Sequence, residues 1–331
     1  MYTEEKKEET AALDPQVLER LHDPGFLSEY GKIEVLRAIR FKTRFSVMLV
    51  EMPPGITGGA RNELTKRLAS TITLTLRNCD ILGMADETHL GAILPDTDHF
   101  GALTAARKLN DASIGTSGGD KGPLPTIFAH STFPRDGNTY DALLKTAVGR
   151  VLARKASIWE RLGLKERLFW EIIAELLKKG YTGLDNSSFD VGTGRVVPEF
   201  FIDHVTAMAV KEIKRAPQRK GVFLVSAKKI SPSLPAVKGL AWAGATATKA
   251  FIAGERGEGS AEVKGASAIY LDDERLKETS LTFFLTEDSA YALICKEGWG
   301  GGFSCFHSSD PFLVEGLLLK FQKEYSQEGI I

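Results

Sequence analysis

The 331-residue chain has few of the features that announce a specialised protein class. Its three cysteines, Cys79, Cys295 and Cys305, are too few and too scattered for a disulfide framework. They form no CxxC pair of the kind that holds zinc, so reduced thiols are the expectation. There is no surplus of charge of either sign: 42 basic against 43 acidic residues leave −1. No global field draws in nucleic acid or an anionic membrane, and neither is expected as a partner. No apolar run reaches the roughly 18 residues that a membrane span needs. The opening MYTEEKKEETAALD holds no apolar signal core, and the expectation is a soluble, cytoplasmic protein with a mobile tail over residues 1–22.

What is present is ordinary globular material, 43% hydrophobic and 26% charged, at a length that suits two domains. The stretch from His22 predicts an amphipathic helix with Ile33, Leu36 and Ile39 on its buried face, then a buried strand over Phe45–Val50. A second helix, about 61–77, carries Leu64, Leu68, Ile72 and Leu76 at spacings of four, a core-facing stripe. Pro125–Phe133 reads as a strand and Tyr140–Lys155 as a helix that closes the first domain.

Between these lies RNCDILGMADETHLGAILP, residues 77–95. Ile81 and Leu82 lead into the polar run Asp86-Glu87-Thr88-His89, and Leu90, Ala92, Ile93 and Leu94 lead out, which predicts two short strands and a tight connection. Together with DTDHFGALTAARKL and PTIFAHSTFPRDGNTYDALLKTAVGRVLARK, this stretch resembles the GGDEF family, the domain of bacterial diguanylate cyclases, over about residues 23–156. The resemblance implies an α/β (α+β) fold of nucleotidyl-cyclase type around a central, mostly antiparallel sheet.

In that family the signature hairpin uses glycines for close approach of a guanine nucleotide and an acid for a divalent metal. Asp86, Glu87, Thr88, His89 and Leu90 fall on the five signature positions. Asp86 and Glu87 bring side chains and negative charge where a triphosphate would come. Thr88 and His89 are poor ligands for Mg²⁺, which prefers anionic oxygen. The strand before it ends on Glu51, where the family places a metal-binding aspartate. Glu51 is thus the one weak metal candidate, and a two-metal reaction needs more. The expectation is a degenerate domain without catalytic residues, metal or cofactor.

Arg77-Asn78-Cys79-Asp80 has the RxxD form and lies at the family's inhibitory site. The resemblance implies that Arg77 and Asp80 grip cyclic di-GMP there, with Arg107 or Lys108 on the following helix completing the set. The alternative is a local Arg77–Asp80 salt bridge at a helix end. His89 and His99 are expected in surface or capping roles. Gly118-Gly119-Asp120 reads as a loop.

Residues 157–185 predict a helical connector with Trp159, Leu162, Leu168, Ile172 and Leu176 at helical spacing. Its apolar surface leaves packing within the chain and a dimer seam both open. From 186 to 331 strands and helices interleave, which predicts a second α/β domain. IYLDDERLKETSLTFFLTEDSAYALICKEG and FSCFHSSDPFLVEGLLLKFQKEY resemble the DICT family, a presumed sensory domain. Phe303, Phe306, His307, Asp310 and Trp299 could wall a small-molecule pocket, or form a core edge and, at Asp310-Pro311, a helix start.

The chain therefore reads as a bacterial signalling protein that acts by binding cyclic di-GMP and is coupled to a sensor. The alternatives are a homodimeric or partner-binding scaffold without nucleotide affinity, and a residual diguanylate cyclase.

Overall fold

A computed structural model describes residues 20–115, 124, 127–178, 199–260, 263–298, 303–327 and 329–330. Most of the expected tail, Gly118-Gly119-Asp120, the turn-rich 180–198 stretch and Trp299 lie outside the described residues. The chain divides into two compact units, Met1–Arg154 and Lys155–Ile331.

The first unit is a five-stranded sheet with helices on both faces. In chain order it contains β1 (Leu21–His22), α1 (Pro24–Phe41), β2 (Phe45–Glu51), α2 (Gly58–Thr75), β3 (Ile81–Met84), β4 (His89–Pro95), α3 (His99–Gly115), β5 (Phe128–Phe133) and α4 (Tyr140–Ala156). The spatial order is β1-β3-β4-β2-β5. Only the β1–β3 pair is parallel. Because side chains alternate along a strand, β2 feeds two cores. Met48 and Val50 pack with Leu64, Leu68 and Ile72 of α2 and Ala102, Ala106 and Leu109 of α3. Phe45, Val47 and Leu49 pack with Leu27, Val35 and Ala38 of α1 and Leu143, Ala147 and Val151 of α4. A strand covered on both faces must be apolar throughout, as FSVMLV is; each fully buried large side chain contributes roughly 1.5–3 kcal/mol. Its one buried hydroxyl, Ser46 Oγ, bonds the Thr97 carbonyl at 2.9 Å and Thr132 Oγ1 at 2.8 Å.

The α1 stripe is the reverse of the expectation. Ile33, Leu36 and Ile39 face solvent, and Leu27, Gly31, Glu34, Val35 and Ala38 face inward. Small residues decide the face: the ring of Tyr140 sits where a Cβ on Gly31 would be, so this side can approach α4 closely. The expected tail also ends sooner, since Leu21 and His22 pair with β3.

In the second unit, α5 (Ile158–Arg161), a 3-10 turn (Leu164–Glu166), α6 (Phe169–Lys178), α7 (Glu199–Arg215), α8 (Pro235–Ala241), α9 (Glu274–Glu278) and α10 (Pro311–Glu324) accompany β6 (Gly221–Ile230), β7 (Thr248–Arg256), β8 (Ser267–Tyr270), β9 (Thr279–Thr286), β10 (Ala290–Glu297) and β11 (Phe303–Ser308). The sheet order is β11-β10-β9-β6-β7-β8, antiparallel through β6 and parallel beyond it.

The expected single connector helix is broken at Gly163, whose φ of 59° is left-handed, and Leu168 is exposed. Phe169, Ile172, Ile173 and Leu176 are buried within this unit. Trp170 Nε1 donates to Tyr325 Oη at 2.9 Å, which donates to Asp273 at 2.7 Å. Arg275 pairs with Asp273 and lies 4.8 Å over the Trp170 ring. This polar chain ties α6, α9 and the end of α10 together. The expectation of reduced thiols fails for two cysteines: Cys295 and Cys305, opposite each other across β10 and β11, form a disulfide, while Cys79 is free.

A histidine pair, His130 buried and His99 half-buried, bears on the stability of the first unit. His99 Nδ1 meets His130 Nε2 at 2.9 Å and Arg135 Nη2 at 3.3 Å. Arginine can only donate, so Nδ1 is an acceptor, the His99 proton sits on Nε2, and the ring is neutral. Burial and the Arg135 and Arg150 charges lower the His99 pKa to about 3, and burial and His99 push His130 well below its ordinary value. The Asp136 carboxylate anchors both arginines, at 2.6 Å and 2.7 Å.

Histidines held neutral contribute stability that is complete above their unfolded value near 6.5 and is lost as pH falls below it, by about 1.4 kcal/mol per pH unit for each ring. Hydrogen exchange of the β5 amides should show a lower opening free energy at pH 5 than at pH 7.5, and His99→Gln should shrink the difference by roughly half. An opening free energy independent of pH would contradict the neutral pair.

Candidate functional site

The β3–β4 hairpin folds around one carboxylate. Asp86 Oδ1 accepts from the Thr88 N–H at 2.6 Å, the Thr88 hydroxyl at 2.9 Å and the His89 N–H at 2.8 Å. His89 Nδ1 lies 2.8 Å from Asp86 Oδ2 and carries its proton there. This is an Asx-type turn, in which a short acid replaces a backbone acceptor. Partial burial alone would raise the Asp86 carboxyl; the Thr88 N–H and the His89 and Thr88 side chains outweigh it and hold it below its ordinary value. His89 is buried at the head of β4, not on a surface tip, and Leu90 lies in the core behind it. His99 is likewise no simple cap: the cap of α3 is Asp98, which accepts from the Gly101 N–H at 2.9 Å.

Glu51 is the register partner of His89 across β2 and β4. Among the described residues the one cluster of three acids within metal-binding reach is Glu255, Asp272 and Glu274 in the second unit, and Lys277 already pairs with these acids.

Arg77, Asp80 and Lys108 come together. α2 stops at Thr75, and the chain turns through 77–80 into β3. Asp80 Oδ2 accepts from the Arg77 N–H at 2.8 Å, which fixes the turn, and Arg20 Nη2 donates to the carbonyls of Arg77 at 3.2 Å and Asp80 at 3.4 Å. Asp80 is 6% exposed, and its Oδ1 has no hydrogen-bond partner among the described residues. Burial raises its pKa, against the opposing Arg77 N–H and the Arg77 and Arg20 charges. The alternative of a salt bridge at the helix end is not realised among the described residues: the guanidinium of Arg77 is exposed and makes no ion pair with Asp80.

Asp80 belongs to the lining of a cleft of about 180 Å³, with Thr75, Arg77, Thr97, Thr104 and Lys108 among others. A second cleft of about 430 Å³, lined by Thr43, Arg44, Arg77, Asp96, Thr97, Asp98 and Gly101, shares Arg77, Thr97 and Gly101 with the first. Arg107 lines neither. On α3 the residues 101, 104, 105 and 108 recur at helical spacing on one face, and that period separates Lys108 from its neighbour. Sequence reasoning missed Arg20, Thr97 and Thr104, which no motif marks.

Of the residues expected as a pocket wall or core edge in the second unit, the four that are described are engaged in packing and capping. The ring of His307 packs on that of Tyr291, 5.8 Å between centroids, and Phe303 and Phe306 are buried. Asp310 caps α10 by accepting from the Phe312 N–H at 2.9 Å and also takes the Ile158 N–H at 3.0 Å.

No family model matches the chain. No curated protein matches it either. Among solved structures it is similar to the GGDEF domain of YfiN (TpbB) from Pseudomonas aeruginosa, at 16% identity and a TM-score of 0.36, over 43% of this chain and 91% of that one. It is also similar to the active GGEEF domain of a diguanylate cyclase from Vibrio cholerae, at 11% identity and a TM-score of 0.38, over 41% and 91%. A third is the GGDEF domain of DgcB from Caulobacter crescentus in complex with c-di-GMP, at 10% identity and a TM-score of 0.33, over 41% and 83%. At these values no residue role is carried across.

The geometry of the hairpin predicts its own fragility. Asp86→Ala removes the acceptor of two backbone N–H groups and should cost the turn about 1–2 kcal/mol, read as faster hydrogen exchange at Thr88 and His89. Unchanged exchange would show that the carboxylate does not hold the turn.

Proposed function

We propose that this chain is a bacterial signalling protein whose first unit is a degenerate GGDEF-like domain that receives cyclic di-GMP at the Arg77–Asp80–Lys108 cleft and does not synthesise it. The observation that carries the reading is the buried Asp80 carboxylate, one oxygen of which has no hydrogen-bond partner among the described residues, lining one cleft with Arg77 and Lys108. A guanine edge offers two adjacent N–H donors that suit such a carboxylate, and its O6 and N7, or a phosphate, suit a guanidinium. Burial makes that carboxylate costly to leave unpaired, so a ligand that supplies donors gains more there than at the surface.

Loss of synthesis follows from the hairpin. The Asp86 and Glu87 carboxylates stand where a triphosphate would need neutral backbone, and His89 commits its ring to Asp86 instead of to a metal. The second unit is proposed to be a DICT-like sensory domain, on its sequence resemblance alone. Coupling to it requires that the ligand bind two states of the protein with different affinities.

Isothermal titration with cyclic di-GMP tests this directly. Binding at micromolar ligand is expected, weakened roughly 10- to 100-fold by Arg77→Ala, the loss of a charge-assisted contact. Absence of heat at tens of micromolar ligand, or an affinity that Arg77→Ala leaves unchanged, would remove the proposal.

A further inference from the structure

The outward face of α1 is the least explained surface of the first unit. Ile33, Leu36, Ile39 and Phe41 are 60%, 68%, 59% and 61% exposed, four large apolar side chains within nine residues of one helix end. Isolated exposed hydrophobics are normal, but a row of them is not. The polar residues among them share one sign. Between positions 32 and 44 the exposed charged residues are Lys32, Arg37, Arg40, Lys42 and Arg44, with no exposed acid; the single acid of the stretch, Glu34, is buried under the helix.

Nearby acids partly answer this charge. Within α1, Glu29 pairs with Lys32 at 2.8 Å and the buried Glu34 meets Arg37 at 3.6 Å, and Asp96 from the β4–α3 turn meets Arg37 at 3.3 Å. Arg40 faces the Phe41 ring at 5.4 Å. The apolar row thus emerges through a rim whose excess charge is positive.

We propose that this face of α1 is a docking surface for an anionic lipid bilayer, with Ile33, Leu36 and Ile39 entering the headgroup layer and Arg37, Arg40 and Lys42 contacting lipid phosphates. An apolar row flanked by long basic side chains is the pattern of helices that lie in a membrane interface, where the aliphatic stems of lysine and arginine bury and their heads meet phosphate. The charge argues against a second copy of the chain as occupant, because two such faces brought together would oppose arginine to arginine. The near-zero net charge of the whole chain gives no warning of it, because screening makes the local cluster, within about 8–10 Å, the quantity that a membrane meets. This inference stands independently of cyclic di-GMP binding.

Co-sedimentation of the full chain with vesicles of phosphatidylcholine alone, and of phosphatidylcholine mixed with phosphatidylglycerol, tests it. Binding is expected to the mixed vesicles only and should weaken as salt is raised. Arg40→Glu should lower the partition coefficient about tenfold or more, and Leu36→Glu should lower it comparably. Both side chains are solvent-exposed, so the circular dichroism and melting temperature of the variants should match the parent. No binding to the mixed vesicles, equal binding to both kinds, or binding that survives Leu36→Glu would overturn the proposal. Concentration-dependent dimerisation abolished by Leu36→Glu, without vesicle binding, would also overturn it and assign the face to self-association.

Discussion

One carboxylate organises the region on which the functional reading depends. Asp86 closes the β3–β4 hairpin by accepting from two backbone N–H groups, a hydroxyl and an imidazole within four residues. A hairpin built this way needs no glycine, because the side chain does the turning that permissive backbone angles would otherwise do. It also fixes a negative charge at the hairpin tip and removes His89 from solvent. On the proposed reading, the same substitution that folds the loop is the one that ends its nucleotide chemistry, so stability and loss of synthesis have one cause.

The cleft at the other end of β3 follows the opposite logic. There a carboxylate is buried with one oxygen satisfied by the Arg77 N–H and the other unpaired among the described residues, and its burial is opposed by that N–H and by the Arg77 and Arg20 charges. The first acid is spent within its own turn, whereas the second retains acceptor capacity. Two aspartates six positions apart thus differ in how far their hydrogen-bonding capacity is met.

Most of the fold was legible because β2, α2 and β4 have strong patterns: the unbroken apolar run FSVMLV marks a strand covered on both faces, and the four-residue spacing of Leu64, Leu68 and Ile72 marks a helix with one core-facing stripe. The α1 face was misread because the helix carries two apolar stripes. Side-chain size, through Gly31 and Ala38 against Tyr140, chooses between them, and hydrophobicity does not encode that. The disulfide is not legible in the sequence because Cys305 lies on β11, which no clear strand pattern marks; without that strand the two thiols have no register. At the site, Arg77 and Asp80 were visible in their spacing, and the helical period of α3 could have preferred Lys108 over Arg107. Arg20 and Thr97 reach the turn and the cleft through tertiary contacts that no local pattern records.

The central claim is that the hairpin at residues 86–89 is closed to a guanine triphosphate. Its most direct test is titration of the ¹⁵N-labelled chain with a non-hydrolysable GTP analogue and Mg²⁺, following the amide resonances of Asp86, Glu87, Thr88 and His89. The account predicts that they stay in place at millimolar analogue. Saturable shifts at those four amides, with a stoichiometry of one analogue per chain, would contradict it.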